Sequence, residues 1–254
     1  MSRDQSSINC CGSFEKIFAD SRDSARCLGS LSKLARHLKE PLIVTGSIAT
    51  ALHLMKNGMG RQMARLNDID AVAEGLHCVR SSLSQDFLIN HFHPLRGGGG
   101  VLLQLVDEEY STRIEVFTPN SKTLNERLTD FAIGNLRCRT VSAEDVLAKL
   151  LSIIYPATKG CTVDPKYVEH FEALYATVDL KVAVEIWPDY RKENHPLSFY
   201  EAAEAVQRSI RDNPALLQRE EYCQDINFVC RWCCASDEFP LAVRSKVYEI
   251  LGYV

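Results

Sequence analysis

The feature that most constrains this chain is a short apolar run, Pro41-Leu42-Ile43-Val44, that ends in Thr45-Gly46-Ser47 and opens directly into an apolar helix pattern. The run reads as a buried strand over 41–45, and 47–56 reads as a helix capped by Ser47. Further on comes Asn67-Asp68-Ile69-Asp70-Ala71-Val72, two carboxylates inside a strand-like segment. Side chains at i and i+2 of a strand share a face, about 6–7 Å apart along the chain. That spacing lets Asp68 and Asp70 share one metal ion or bridge two. The Gly46-Ser47 turn supplies the complementary chemistry, because backbone N–H groups at a helix N-terminus attract phosphate.

Length and charge narrow the field. A chain of 254 residues buries a full core and is expected to hold two modest domains. A net charge of −4 argues against broad, sequence-independent binding to nucleic acid. No apolar run reaches the roughly 18 residues that a membrane span needs. Met1-Ser2-Arg3-Asp4-Gln5 lacks the apolar stretch of a secretory signal, so a cytoplasmic location and no membrane partner are expected. Ten cysteines are present. Cys223, Cys230, Cys233 and Cys234 fall on one helix face, and with no second C-x-x-C or nearby histidine they read as buried thiols rather than zinc ligands.

The hydrophobic pattern divides the chain near residue 140. Residues 13–39 read as two short helices, the second ended by Pro41. Strands are expected at 69–73, 86–92, 101–106 and 112–117, with a helix near 76–85 and a turn at Arg96-Gly97-Gly98-Gly99-Gly100. Together with 41–45 they make a mixed sheet of about five strands. Ser142-Ala143-Glu144-Asp145 opens a strong helix, and 165–176, 178–187, 198–211, 215–234 and 240–251 continue helical. The expected class is α+β: an N-terminal mixed β-sheet flanked by helices over 13–140, then an all-helical domain over 141–254.

Gly46-Ser47, then Asp68-x-Asp70, then a carboxylate on a later strand, here Glu115 in Arg113-Ile114-Glu115-Val116-Phe117, is a motif order with a precedent. It resembles the polymerase beta-like nucleotidyltransferase superfamily, and most of all its minimal, AbiEii-type branch from bacterial toxin–antitoxin and defence systems. The resemblance covers about residues 40–175. It implies a Mg-dependent enzyme that moves a nucleoside monophosphate from an NTP to an acceptor hydroxyl, with two magnesium ions. Asp68 and Asp70 would be the principal metal ligands, and Glu115 the third ligand and general base. Gly46 and Ser47 would hold the β- and γ-phosphates.

The resemblance extends to Lys149, where the branch carries a lysine that meets the triphosphate. Arg65 matches the basic residue before the D-x-D less well, being one position tighter, and Arg61 competes with it. In the helix around 165–176, Tyr167 and His170 stand where many relatives have acids, with Asp164 nearby to compensate. The acceptor is left open between a tRNA 3′ end, a protein hydroxyl and a small molecule, and the branch implies an antitoxin or regulatory partner. A second reading is a catalytically silent relative that serves as a binding or scaffold module. His91 and His93 share a strand face without a third ligand, and Trp187, Tyr190, Trp232 and Tyr253 read as packing aromatics.

Overall fold

A computed structural model describes residues 14–60, 62–63, 65–92, 100–133 and 135–219. The fold is α+β. Helix α1 (Ser21–His37) leads to strand β1 (Ile43–Val44), helix α2 (Gly46–Lys56) and strand β2 (Asp68–Val72). Strands β3 (Leu88–Phe92), β4 (Val101–Asp107), β5 (Thr112–Phe117), β6 (Thr129–Ile133) and β7 (Leu136–Thr140) follow. Four helices finish the described chain: α3 (Ala143–Ile154), α4 (Pro165–Tyr175), α5 (Leu180–Tyr190) and α6 (Phe199–Asp212).

The strands form one mixed sheet in the order β3-β4-β5-β2-β1-β7-β6. Strand β2 runs parallel to β5, and β1 parallel to β7, while the remaining pairs are antiparallel. The sheet has seven strands rather than five, because β6 and β7 form a hairpin that the sequence reading passed over. The expected helix near 76–85 is instead two 3-10 turns, Leu76–Cys78 and Ser81–Gln85. Ser81, Ser82 and Ser84 compete for the backbone's hydrogen bonds and disfavour a longer helix. The N-terminal pair of helices is one 3-10 turn, Glu15–Ile17, followed by the full-length α1.

Alternation along the strands sorts the side chains to two cores. Ile69 and Ala71 of β2, Ile114 and Val116 of β5, and Leu103 and Leu105 of β4 pack on one face with Leu31 and Leu34 of α1 and Ile48 and Leu52 of α2. Ile43 and Val72 belong to the second core, with Ala49 and Leu54 of α2 and the apolar faces of α3 to α6. Asp68, Asp70 and Glu115 therefore leave the sheet on the face that the later helices approach.

Those helices start where side-chain oxygens can cap them. Ser142 accepts from the amide of Asp145, Asp164 from Lys166, Asp179 from Lys181 and Ser198 from Glu201. Trp187, fully buried, donates its indole N–H to the carbonyl of Pro196. The helices expected over 215–234 and 240–251, the Cys223–Cys234 cluster, His93, Arg96, Trp232 and Tyr253 lie wholly or largely outside the described residues, as do the side chain of His91 and Arg61. Among the described residues no helix is long and apolar enough to cross a membrane.

Candidate active site

The parallel β2–β5 pairing sets the centre of the site. In register, Asp70 faces Glu115 and Asp68 faces Arg113. The antiparallel β4–β5 pairing then brings Gln104 against Glu115. All five project from the face away from the first core. Arg113 Nη2 donates to Asp68 Oδ2 at 3.1 Å, and Gln104 Nε2 donates to Glu115 Oε1 at 2.9 Å. Arg113 Nε lies 3.7 Å from Glu115 Oε1, close enough for ionic attraction but too far for a hydrogen bond. Arg113 was missed in the sequence, although its i, i+2 relation to Glu115 is the same signal that picks out Asp68-x-Asp70.

The glycine bend meets the same carboxylates. The Thr45 amide donates to the carbonyl of Asp70 at 2.9 Å. Gly46 takes a φ of +64°, and a Cβ there would collide with the Asp70 carboxylate, its nearest carbon lying 2.8 Å away. Only glycine serves at this position. Helix α2 begins at Gly46, one residue earlier than expected, so its N-cap is Thr45 rather than Ser47, and Thr45 makes no side-chain cap. The first-turn amides, with no intrahelical acceptor of their own, are thus spared for a ligand.

A cavity of about 330 Å³ opens on this face. Gly46, Ser47, Asp68, Asp70, Glu115 and Lys149 all line it. Arg65 does not; it is an exposed residue in the loop before β2, and the guanidinium at the cavity is that of Arg113. Tyr167 and His170 of α4 face the cavity, as does Tyr190, which the sequence reading assigned to packing. Asp164 lies elsewhere, as the buried N-cap of α4. The far wall is apolar, built from Leu124, Val146, Leu150 and Ile153.

Electrostatics separates the groups. Burial, then Asp68, then Glu115 hold the Asp70 carboxyl well above its ordinary range, against the pull of Lys149 and Arg113. Burial also raises Glu115, and burial lowers the Lys149 ammonium, which Asp70 partly restores. His170 is pushed down by burial and by Lys166, which favours a neutral imidazole. Asp145, fully buried at the cavity edge, accepts from Arg127 at 3.0 and 2.8 Å, from the Ser142 hydroxyl at 2.7 Å and from the Tyr190 hydroxyl at 2.8 Å. Its charge is spent on that network.

The donor set fits a hard divalent cation. Three carboxylates converge on one cleft, and among the described cavity residues Arg113 and Lys149 are the cations left to balance them. Gln104 Oε1 and Arg113 Nε are buried there without a hydrogen-bond partner. Oxygen-only ligation of this kind suits magnesium.

No protein-family model matches the chain, and no curated protein matches it. A solved structure, an antigenic nucleotidyltransferase-like protein from Paracoccidioides brasiliensis, is similar over 83% of this chain and 98% of its own, at 15% sequence identity and a TM-score of 0.40.

Proposed function

We propose that the chain is a nucleotidyltransferase that moves a nucleoside monophosphate from an NTP to an acceptor hydroxyl. The observation that supports it most is the in-register approach of Asp70 and Glu115, beside Asp68 and against the Gly46 bend. Phosphoryl transfer asks a protein mainly for positioning and charge neutralisation, and this cleft offers both.

Asp68, Asp70 and Glu115 would hold magnesium. When bound, it would neutralise phosphate charge and acidify the attacking hydroxyl. The amides of Gly46 and Ser47, with the Ser47 hydroxyl, would hold the β- and γ-phosphates at the positive end of α2. Lys149 would meet the triphosphate, whose negative charge would offset the burial that lowers its ammonium. Glu115, whose desolvation makes it the stronger base, would take the proton of the acceptor hydroxyl. Residues 13–140 would carry this chemistry, and 141–254 would supply Lys149 and the acceptor side. The motif order and the helical second half favour the minimal AbiEii-type branch and, with it, a toxin–antitoxin or defence role.

Calorimetric titration with ATP, GTP, CTP and UTP in Mg²⁺, repeated on an Asp68→Ala/Asp70→Ala variant, tests the reading. Metal-dependent binding lost in the variant is expected, followed by transfer of α-³²P label to tRNA, protein or a small molecule from lysate. Binding without transfer, or binding indifferent to metal, would instead favour the scaffold.

A further inference from the structure

We propose a second metal site, for zinc or a similarly soft divalent ion, formed by Glu74, His77 and Cys78 on the turn that follows β2. Their carboxylate, imidazole and thiol ligand atoms all lie within 4.8 Å of one another. Around a tetrahedral zinc with bonds of about 2.0–2.3 Å, ligand atoms sit roughly 3.3–3.8 Å apart. The gap is about one ångström of side-chain adjustment. Glu74 and His77 are exposed and have room to make it, while Cys78 is buried.

The backbone holds the turn in place. The Cys78 amide donates to the Gly75 carbonyl at 3.1 Å, and the Cys78 carbonyl accepts from Lys39 at 2.8 Å. Gly75 leaves room for the imidazole to fold back, since a Cβ there would lie 3.0 Å from His77 Nδ1. Glu74 Oε1 accepts from Asn125 Nδ2 at 2.7 Å, the kind of outer contact that orients a ligating carboxylate and leaves its second oxygen available.

The donor chemistry separates this site from the cleft. A thiolate and an imidazole select zinc, whereas the all-oxygen set of Asp68, Asp70 and Glu115 selects magnesium. Three protein ligands leave a fourth position for water. The bound ion would displace the Cys78 proton to solvent and tie the end of β2 to the loop carrying Asn125.

Cobalt is the probe. The full-length chain, kept reduced, stripped with EDTA and held in excess Mg²⁺, is titrated with Co²⁺ while thiolate-to-cobalt charge transfer is followed. The expected result is one ion per chain with a charge-transfer band. Cys78→Ser should remove the band, and Glu74→Gln and His77→Ala should each weaken binding at least tenfold. The two exposed variants decide the matter if Cys78→Ser does not fold. Absence of a band in the wild type, or a band of unchanged affinity in Glu74→Gln and His77→Ala, overturns the site; the latter would place the ion on other cysteines of the ten.

Discussion

The Thr45 amide is bonded to the Asp70 carbonyl at 2.9 Å, and this bond fixes the glycine bend of α2 against the carboxylate that β2 presents. Gly46→Ala attacks that relationship twice, through its positive φ and through a Cβ that overlaps Asp70. The left-handed conformation alone costs about 1–2 kcal/mol. We expect a lower Tm and loss of metal-dependent NTP binding, measured by thermal denaturation and calorimetry. Unchanged binding in this variant would mean that the bend does not cradle phosphate.

Asp70 trades stability for chemistry. Its carboxyl is held well above the ordinary value of 3.8, so folding favours the protonated form. Its contribution to stability is present below that value and is lost as pH rises through the elevated one. Above the ordinary carboxylate range Asp70 therefore weakens the fold. Asp70→Asn should raise Tm, by about 2–4 °C for each kcal/mol recovered, while abolishing transfer. Mg²⁺ should stabilise the wild type and leave the variant unmoved. A variant with lower Tm at pH 7 counts against this account.

Two ion pairs separate burial from mere proximity. Arg127 and Asp145 form a bidentate pair whose carboxylate side chain is completely buried, and Arg36 and Asp86 meet at 3.1 Å with the arginine 63% exposed. Arg127→Ala strands a buried charge and should cost about 3–5 kcal/mol in urea unfolding. Arg36→Ala should cost less than about 1 kcal/mol.

Lys149 lines the cavity near Asp70, and its ammonium is depressed by burial. Lys149→Met keeps the length and the apolar stem. We expect NTP affinity to fall by roughly 10- to 100-fold, as for the loss of one charge-assisted bond, with the fold intact by circular dichroism. Because the bound triphosphate restores the lysine's proton, wild-type binding should take up protons near the depressed pKa, detectable as buffer-dependent heat.

Much of the arrangement is legible in residue order. Period-two alternation places Asp68 and Asp70 together, and it places Ile69 and Ala71 in the opposite core. The helix starts at Ser142, Asp164, Asp179 and Ser198 follow from capping chemistry. The β6–β7 hairpin was also legible: Phe131 and Ile133 recur with period two after Thr129-Asp130, Cys138 and Thr140 alternate with arginines, and Gly134-Asn135 separates the two runs. Charged neighbours such as Arg137 and Arg139 masked it. Pairing partners are another matter. Nothing local announces that β2 lies beside β5, or that Tyr190 reaches back to Asp145, because both depend on contacts between distant segments.

Strand β1 is two residues long, yet it sits between β2 and β7 in the middle of the sheet. As the polypeptide leaves the ribosome, β2 can pair with β1 early, but β7 emerges some seventy residues later. Until then the other side of Ile43-Val44 is an open template for any passing strand. A nascent chain stalled before Leu136 should accordingly be prone to aggregate, and release of the last hairpin closes that window.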